Sequence, residues 1–429
     1  MQNHKSSVEE YIQQNIFSRT GENFFDFSFE EDYLYQQLDF IGKNLCLKYV
    51  GIYSCFYLID SFQAQAGAIH KHQCVLVYKG MLELIFRTSA MMLGAERRQN
   101  EPNEMFYEPW RDNVHLWVNG GEFEWANDQY WWIHDQTHRK AFDMLVEAMF
   151  VFLVLHEIGH IHNLHGDRRN DDAKENPSFI DHIIFIHKAV GDTEAVEAVE
   201  AVEAVEAVEA VEAVEAVEAV DEADEADEAD EADEADEADE ADEADEAKKL
   251  DAHAREIIAD SYAFQFMLLE LQECFFPDSE YEGVDAGTLS SINLGICIYV
   301  VASFFWALSF KRPMMNDSQN ANYPSHAFRL ASIESACLEH KICMRDNTLT
   351  RSGLEMGMKS YIKKLTCASN NNEFIEWRLT MNIPANQEHY EKICAITGDW
   401  SNLMFGVRDE DLVEKLKLKV HDFGLNKNS

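Results

Sequence analysis

The run "VFLVLHEIGHIHNLHGD", residues 151–167, sets two histidines and a glutamate inside an otherwise apolar stretch. On a helix His156 and His160, four residues apart, lie about 40° from each other, so both imidazoles can reach one ion. Glu157, about 100° away on the same turn, faces the edge of that site. This is the pattern HExxH, in which the histidines bind zinc and the glutamate takes a proton from a water whose pKa zinc lowers to about 7. Three fixed positions in five also recur by chance, and a core helix with hydrogen-bonded histidines would satisfy the same letters. A third ligand has to decide. His162 lies about 200° from His160 and His165 about 180° from His156, so an unbroken helix points both away.

Downstream, "HAREIIADSYAF" contains Glu256 and Asp260, four apart on a second amphipathic helix. Glu256 completes a His2Glu set, and Asp260 accepts the free N–H of a ligand histidine and fixes its tautomer. The bland reading of Glu256 is a solvent-facing glutamate within "DAHARE". His253, about 60° from Glu256, reads as a surface histidine, with a substitute ligand or a supporting group as the alternatives. Between His160 and Glu256 the numbering advances by 96, of which 54 belong to a repeat tract, so the remaining loop is comfortably long.

HExxH followed by ExxxD resembles the gluzincins, the thermolysin-like branch of zinc metallopeptidases. The metzincin pattern would need Gly at 163 and His at 166, where this chain has Asn163 and Gly166. Within the gluzincin type, "HEIGH" and "EIIAD" resemble the peptidase U49 group, the Lit-type phage-exclusion proteases. The resemblance covers about a tenth of the chain. It implies a zincin-like core, one Zn2+ per chain on His156, His160 and Glu256, and hydrolysis of a peptide bond in a protein substrate with Glu157 as general base. It also implies a cytosolic bacterial protease acting on a host protein during phage infection. Hydrolysis needs a donor for the oxyanion. The stretch "YPSHAFRL" offers Tyr323, His326 and Arg329 where a loop enters a helix; it resembles the turn followed by arginine of several zincins, with the histidine displaced. His326 and Tyr323 are equally eligible, and a proline turn with Ser325 as helix N-cap is the structural alternative.

The elements that must position these groups are mainly helical. "YLYQQLDFIGKNLCLKYVGIYSCFYLIDSF" and "CVLVYKGMLELIFRTSAMML" read as long helices apolar on more than one face. In "VHLWVNGGEFEWA", residues 114–126, apolar residues alternate around Asn119-Gly120-Gly121, which predicts a β-hairpin able to offer an edge strand to an extended substrate. A helix from about Thr137 to Leu164 then carries HExxH. The expected fold is α+β and predominantly helical, a zincin-like core with a small antiparallel sheet or hairpin and flanking helices. Its regions are a helical 1–110, a catalytic 111–340 and a mixed 341–429.

Residues 194–247 are nine EAV and then nine DEA triplets. A period of three drifts around a helix and builds no stripe, and adjacent acidic pairs repel, so a solvated acidic spacer with transient helix is expected. The tract carries 27 of the negative charges behind the net -44 and leaves -17 for the rest. An acidic body argues against nucleic acid and anionic membranes as partners. The nine cysteines form no CxxC, and the first residues lack a secretory signal's apolar core, which points to a reducing, cytoplasmic setting. Ala286 to Phe310 has no charge and offers a candidate membrane span through 289–310, but the polar Ser290, Ser291 and Asn293 leave an apolar run shorter than the ~20 residues a span needs, and a buried core helix is the favoured reading. A membrane-associated HExxH peptidase, and a non-enzymatic helical interaction protein working through its acidic tract, are the rival functions.

Overall fold

The computed structural model describes residues 2–27, 33–100, 136–162, 230–276, 283–310, 324–339, 347–368 and 373–397. The described chain is predominantly helical with one small sheet. Helix α1 (Gln2–Ile12) runs through a wide turn, Gln13–Phe17, into Ser18–Thr20. Then come α2 (Tyr33–Tyr49), β1 (Cys55–Ile59), β2 (Ala66–Ile69), β3 (Cys74–Tyr78) and α3 (Lys79–Asn100). Helices α4 (Gln136–His162) and α5 (Asp230–Phe275) carry the two motifs. They are followed by α6 (Ala286–Ser309), α7 (His326–Glu339), α8 (Asn347–Ala368), α9 (Glu373–Leu379) and α10 (Pro384–Thr397).

The hairpin expected at 114–126 lies outside the described residues. The described strands interrupt the two apolar runs expected to be helical throughout. Gly51, with φ 116°, ends the first run's helix. "CFYLI" and "CVLVY" are buried at every position. A strand covered on both faces shows no alternation and cannot be told from a buried helix by periodicity. β1 pairs in parallel with β3 in the register Cys55 to Cys74, and β2 pairs antiparallel with β3, giving the order β1-β3-β2. Phe56, Leu58, Val75 and Val77 enter the main core, whereas Tyr57, Ile59, Leu76 and Tyr78 pack with Val8, Ile12 and Ile16 of the N-terminal helical segment.

The main core draws on all three regions distinguished in the sequence, from Leu38 to Trp377. Helix α4 is its axis. From Val146 to Leu155, apart from the partly exposed Glu147, its residues are buried, because α2, α3, α5, α6 and the sheet surround it. Helix α6 is long and apolar enough to cross a membrane, yet 83% of its most apolar window is buried within the fold. Its polar start is accommodated there, since the Asn293 amide donates to the Leu268 carbonyl at 2.8 Å and the Ser291 hydroxyl to that of Leu349 at 3.0 Å.

Helix α5 departs from expectation at its beginning. It extends back through the last six DEA triplets to Asp230, which makes it 46 residues and about 69 Å long. Growth from a helix end already held by packing adds one hydrogen bond per residue without a new nucleation cost, and Ala and Glu favour it. The EAV half lies outside the described residues.

Candidate metal centre

Helices α4 and α5 pack along each other and bring both motifs to one point. The Nε2 atoms of His156 and His160 are 3.1 Å apart. Glu256 reaches across from α5, with Oε2 3.4 Å from His156 Nε2 and Oε1 3.5 Å from His160 Nε2. These three residues form a group that could hold a metal ion. Three ligand atoms held tetrahedrally at ~2.0–2.1 Å from a zinc-sized ion stand about 3.3 Å from one another; the two imidazole nitrogens are near that spacing, and each has a different Glu256 oxygen at a similar distance.

Asp260 Oδ1 lies 2.9 Å from His156 Nδ1, on the ring edge opposite the ion position, and its residue is 1% exposed. Arg329, from α7, makes a two-pronged contact to Asp260, with Nε and Nη2 each 2.6 Å from a carboxylate oxygen. Its Nη1 stands 3.7 Å from Glu256 Oε2, and its guanidinium lies 4.8 Å from the Phe305 ring centre. The sequence grouped Arg329 with the oxyanion donors. In the structure its Nε and Nη2 are turned to Asp260 and its Nη1 toward Glu256.

Glu157 is buried at 7% exposure on the ligand turn, and its charge helps keep Arg329 protonated. His326 is the first residue of α7, half-buried, with its ring 5.7 Å from Phe305. Ser325 caps that helix by accepting from the Phe328 N–H at 3.3 Å, so the capping reading of this turn holds. Tyr323 lies outside the described residues. His162 points away from the site, as its helical angle requires, with Nε2 2.7 Å from the Tyr49 carbonyl oxygen. His165 lies outside the described residues.

His253 requires a correction. It is not a surface histidine: it is fully buried, with Nδ1 2.9 Å from Nε2 of His389 on α10. Nothing near His253 in the sequence announces the helix that covers it. Nor does the sequence around Gly159 record that α5 passes against it.

The electrostatics suit a cation. Burial, the largest influence on His156, opposes its protonation, but the carboxylates of Asp260 and Glu256 outweigh it and push the imidazole up to about 10. Burial would raise Glu256, yet His160, His156 and Arg329 hold it well below the ordinary range; Arg329 and His156 do the same for Asp260. Without metal, then, a proton on His156 occupies the cation's place. Binding needs the bare nitrogen, so metal must expel that proton at any pH below about 10, while the already ionised carboxylates release none. Between pH 7 and 9 the apparent metal affinity should rise about tenfold per pH unit, with about one proton released per ion. Titration calorimetry in buffers of different ionisation enthalpy checks this, and a buffer-independent heat would contradict it.

Comparison of the chain with protein-family models, with curated proteins and with solved structures returns no match, so the side-chain geometry carries the functional reading.

Proposed function

We propose that this protein is a zinc-dependent endopeptidase of gluzincin-like type, hydrolysing a peptide bond in a protein substrate. The observation that supports it best is the convergence of His156, His160 and Glu256, whose imidazole nitrogens stand 3.1 Å apart and each lie 3.4–3.5 Å from an oxygen of the Glu256 carboxylate, spacings close to those around a zinc-sized ion. The donor set agrees, since two imidazoles and one carboxylate with a fourth position open is the composition of a catalytic zinc site. Zinc, when bound there, supplies Lewis acidity: it lowers the pKa of a water and polarises a carbonyl.

The chain's own residues do the rest. Glu157 accepts the proton of the attacking water and returns it to the leaving amine. Asp260 fixes the His156 tautomer, and Arg329 fixes Asp260. His326 is the described candidate for the oxyanion donor. With the expected hairpin outside the described residues, β2 takes over its part in the proposal. Among the described residues it is an edge strand packed on α4, and an extended peptide could add to it. "HEIGH" with "EIIAD" supports the narrower proposal of a U49-like protease with a host-protein target.

Metal analysis tests the reading. Wild-type protein expressed with zinc should carry about one zinc per chain after desalting, and Glu256→Ala, left with two imidazoles, should carry less than a tenth as much. Zinc-free wild type would leave the helical interaction protein as the surviving reading.

A further inference from the structure

The two helices that supply the ligands cross with almost no clearance. A Cβ built on Gly159 would stand 3.2 Å from the Cα of Ala259, 3.2 Å from its carbonyl oxygen and 3.2 Å from Cδ1 of Tyr262. Two of those three atoms are backbone, which cannot rotate aside. Gly159 precedes the ligand His160 and Ala259 precedes Asp260, so the contact sits within one turn of every metal-facing group. Whatever separates the helices there moves Glu256 away from both imidazoles together. The distance between His156 and His160, set within α4, would not change.

We infer that Gly159 is a positioning residue whose missing side chain sets the size of the cation cage and thereby its preference for a small divalent ion; this rests on the zinc reading above. A methyl group at 159 requires α5 to retreat by a few tenths of an ångström. The two Glu256 edges then lengthen while the His156–His160 edge stays. Lengthening the nitrogen–oxygen spacings by a few tenths of an ångström stretches a tetrahedral bond from ~2.0 to ~2.2 Å. That cage is too wide for zinc and closer to the reach of a larger nitrogen-binding ion such as cadmium. Local helix stability cannot account for such a change, because alanine is the better helix former.

The experiment is a chelator competition that measures zinc and cadmium affinity for wild type and for Gly159→Ala, each checked for native helix content by circular dichroism. Wild type should favour zinc, and the variant's zinc-to-cadmium affinity ratio should fall about tenfold. Gly295→Ala is the packing control. Its Cβ would meet the flexible end of Met356 and the Gly353 carbonyl oxygen at 3.0 Å, at the crossing of α6 and α8 away from the ligands. It should lower thermal stability and leave the ratio unchanged. Should Gly159→Ala not fold, Ala259→Ser enlarges the other wall of the same crossing and should lower the ratio in the same direction. Equal loss of both affinities in the Gly159 variant, or the same ratio change in Gly295→Ala, would overturn the inference. A wild type that binds neither metal removes the proposed function and this inference with it, whereas an unchanged ratio removes the inference alone.

Discussion

Glu157→Gln should keep its zinc and lose its activity. The substitution preserves shape but replaces the carboxylate on the ligand turn with an amide that cannot take up a proton, and positioned proton transfer is worth about 10²–10⁴-fold in rate. Glu157 is not among the three metal-facing residues, so metal content should stay at wild-type level. Because the substrate is unidentified, the assay is cleavage of a mixed peptide library followed by mass spectrometry, run beside zinc analysis of the same samples. A variant that cuts the library at more than a tenth of the wild-type rate would take Glu157 out of its role. One that loses both zinc and cleavage would make it a structural residue instead.

The second large effect belongs to Asp260. Its carboxylate is the partner of both His156 Nδ1 and the Arg329 guanidinium. Asp260→Ala therefore leaves a buried arginine without its close partner, a change that costs about 3–5 kcal/mol when a buried pair is broken. The lower end is expected, because Glu256 remains 3.7 Å from Arg329. The same variant frees the His156 ring, and loss of such a supporting contact lowers metal affinity about 10–100-fold. Urea unfolding and chelator competition measure the two effects separately. Burial raises the Asp260 carboxyl and Arg329 and His156 lower it further, for a net downward shift. Its contribution is thus complete above the ordinary aspartate pKa of about 4 and is lost as pH falls through the lowered value. Metal affinity within twofold of wild type would remove Asp260 from the site.

The two motifs were legible because each is a property of one helix. Four-residue spacing puts His156 beside His160 and Glu256 beside Asp260 whatever else the chain does. The same angular argument turned His162 away, and it now rests against the Tyr49 carbonyl. The strands escaped notice for a related reason. "CFYLI" and "CVLVY" are buried on both faces, so the period that distinguishes strand from helix is absent from their letters. Helix α6 shows the converse: its 24 residues carry no charge and are long and apolar enough for a membrane span, and the packing of α3, α4, α5, α7 and α8 around it buries most of that apolar surface.

Residue types and helical spacing, then, determined which atoms could coordinate and which face of each helix they share, since covalent geometry alone dictates both. The tertiary structure decided how closely α4 approaches α5, that Arg329 pairs with Asp260, and that His253 is enclosed by α10. Those relations join residues tens to more than a hundred positions apart, and contact between helices depends on the shape of whatever fills the space between them, which no local pattern records.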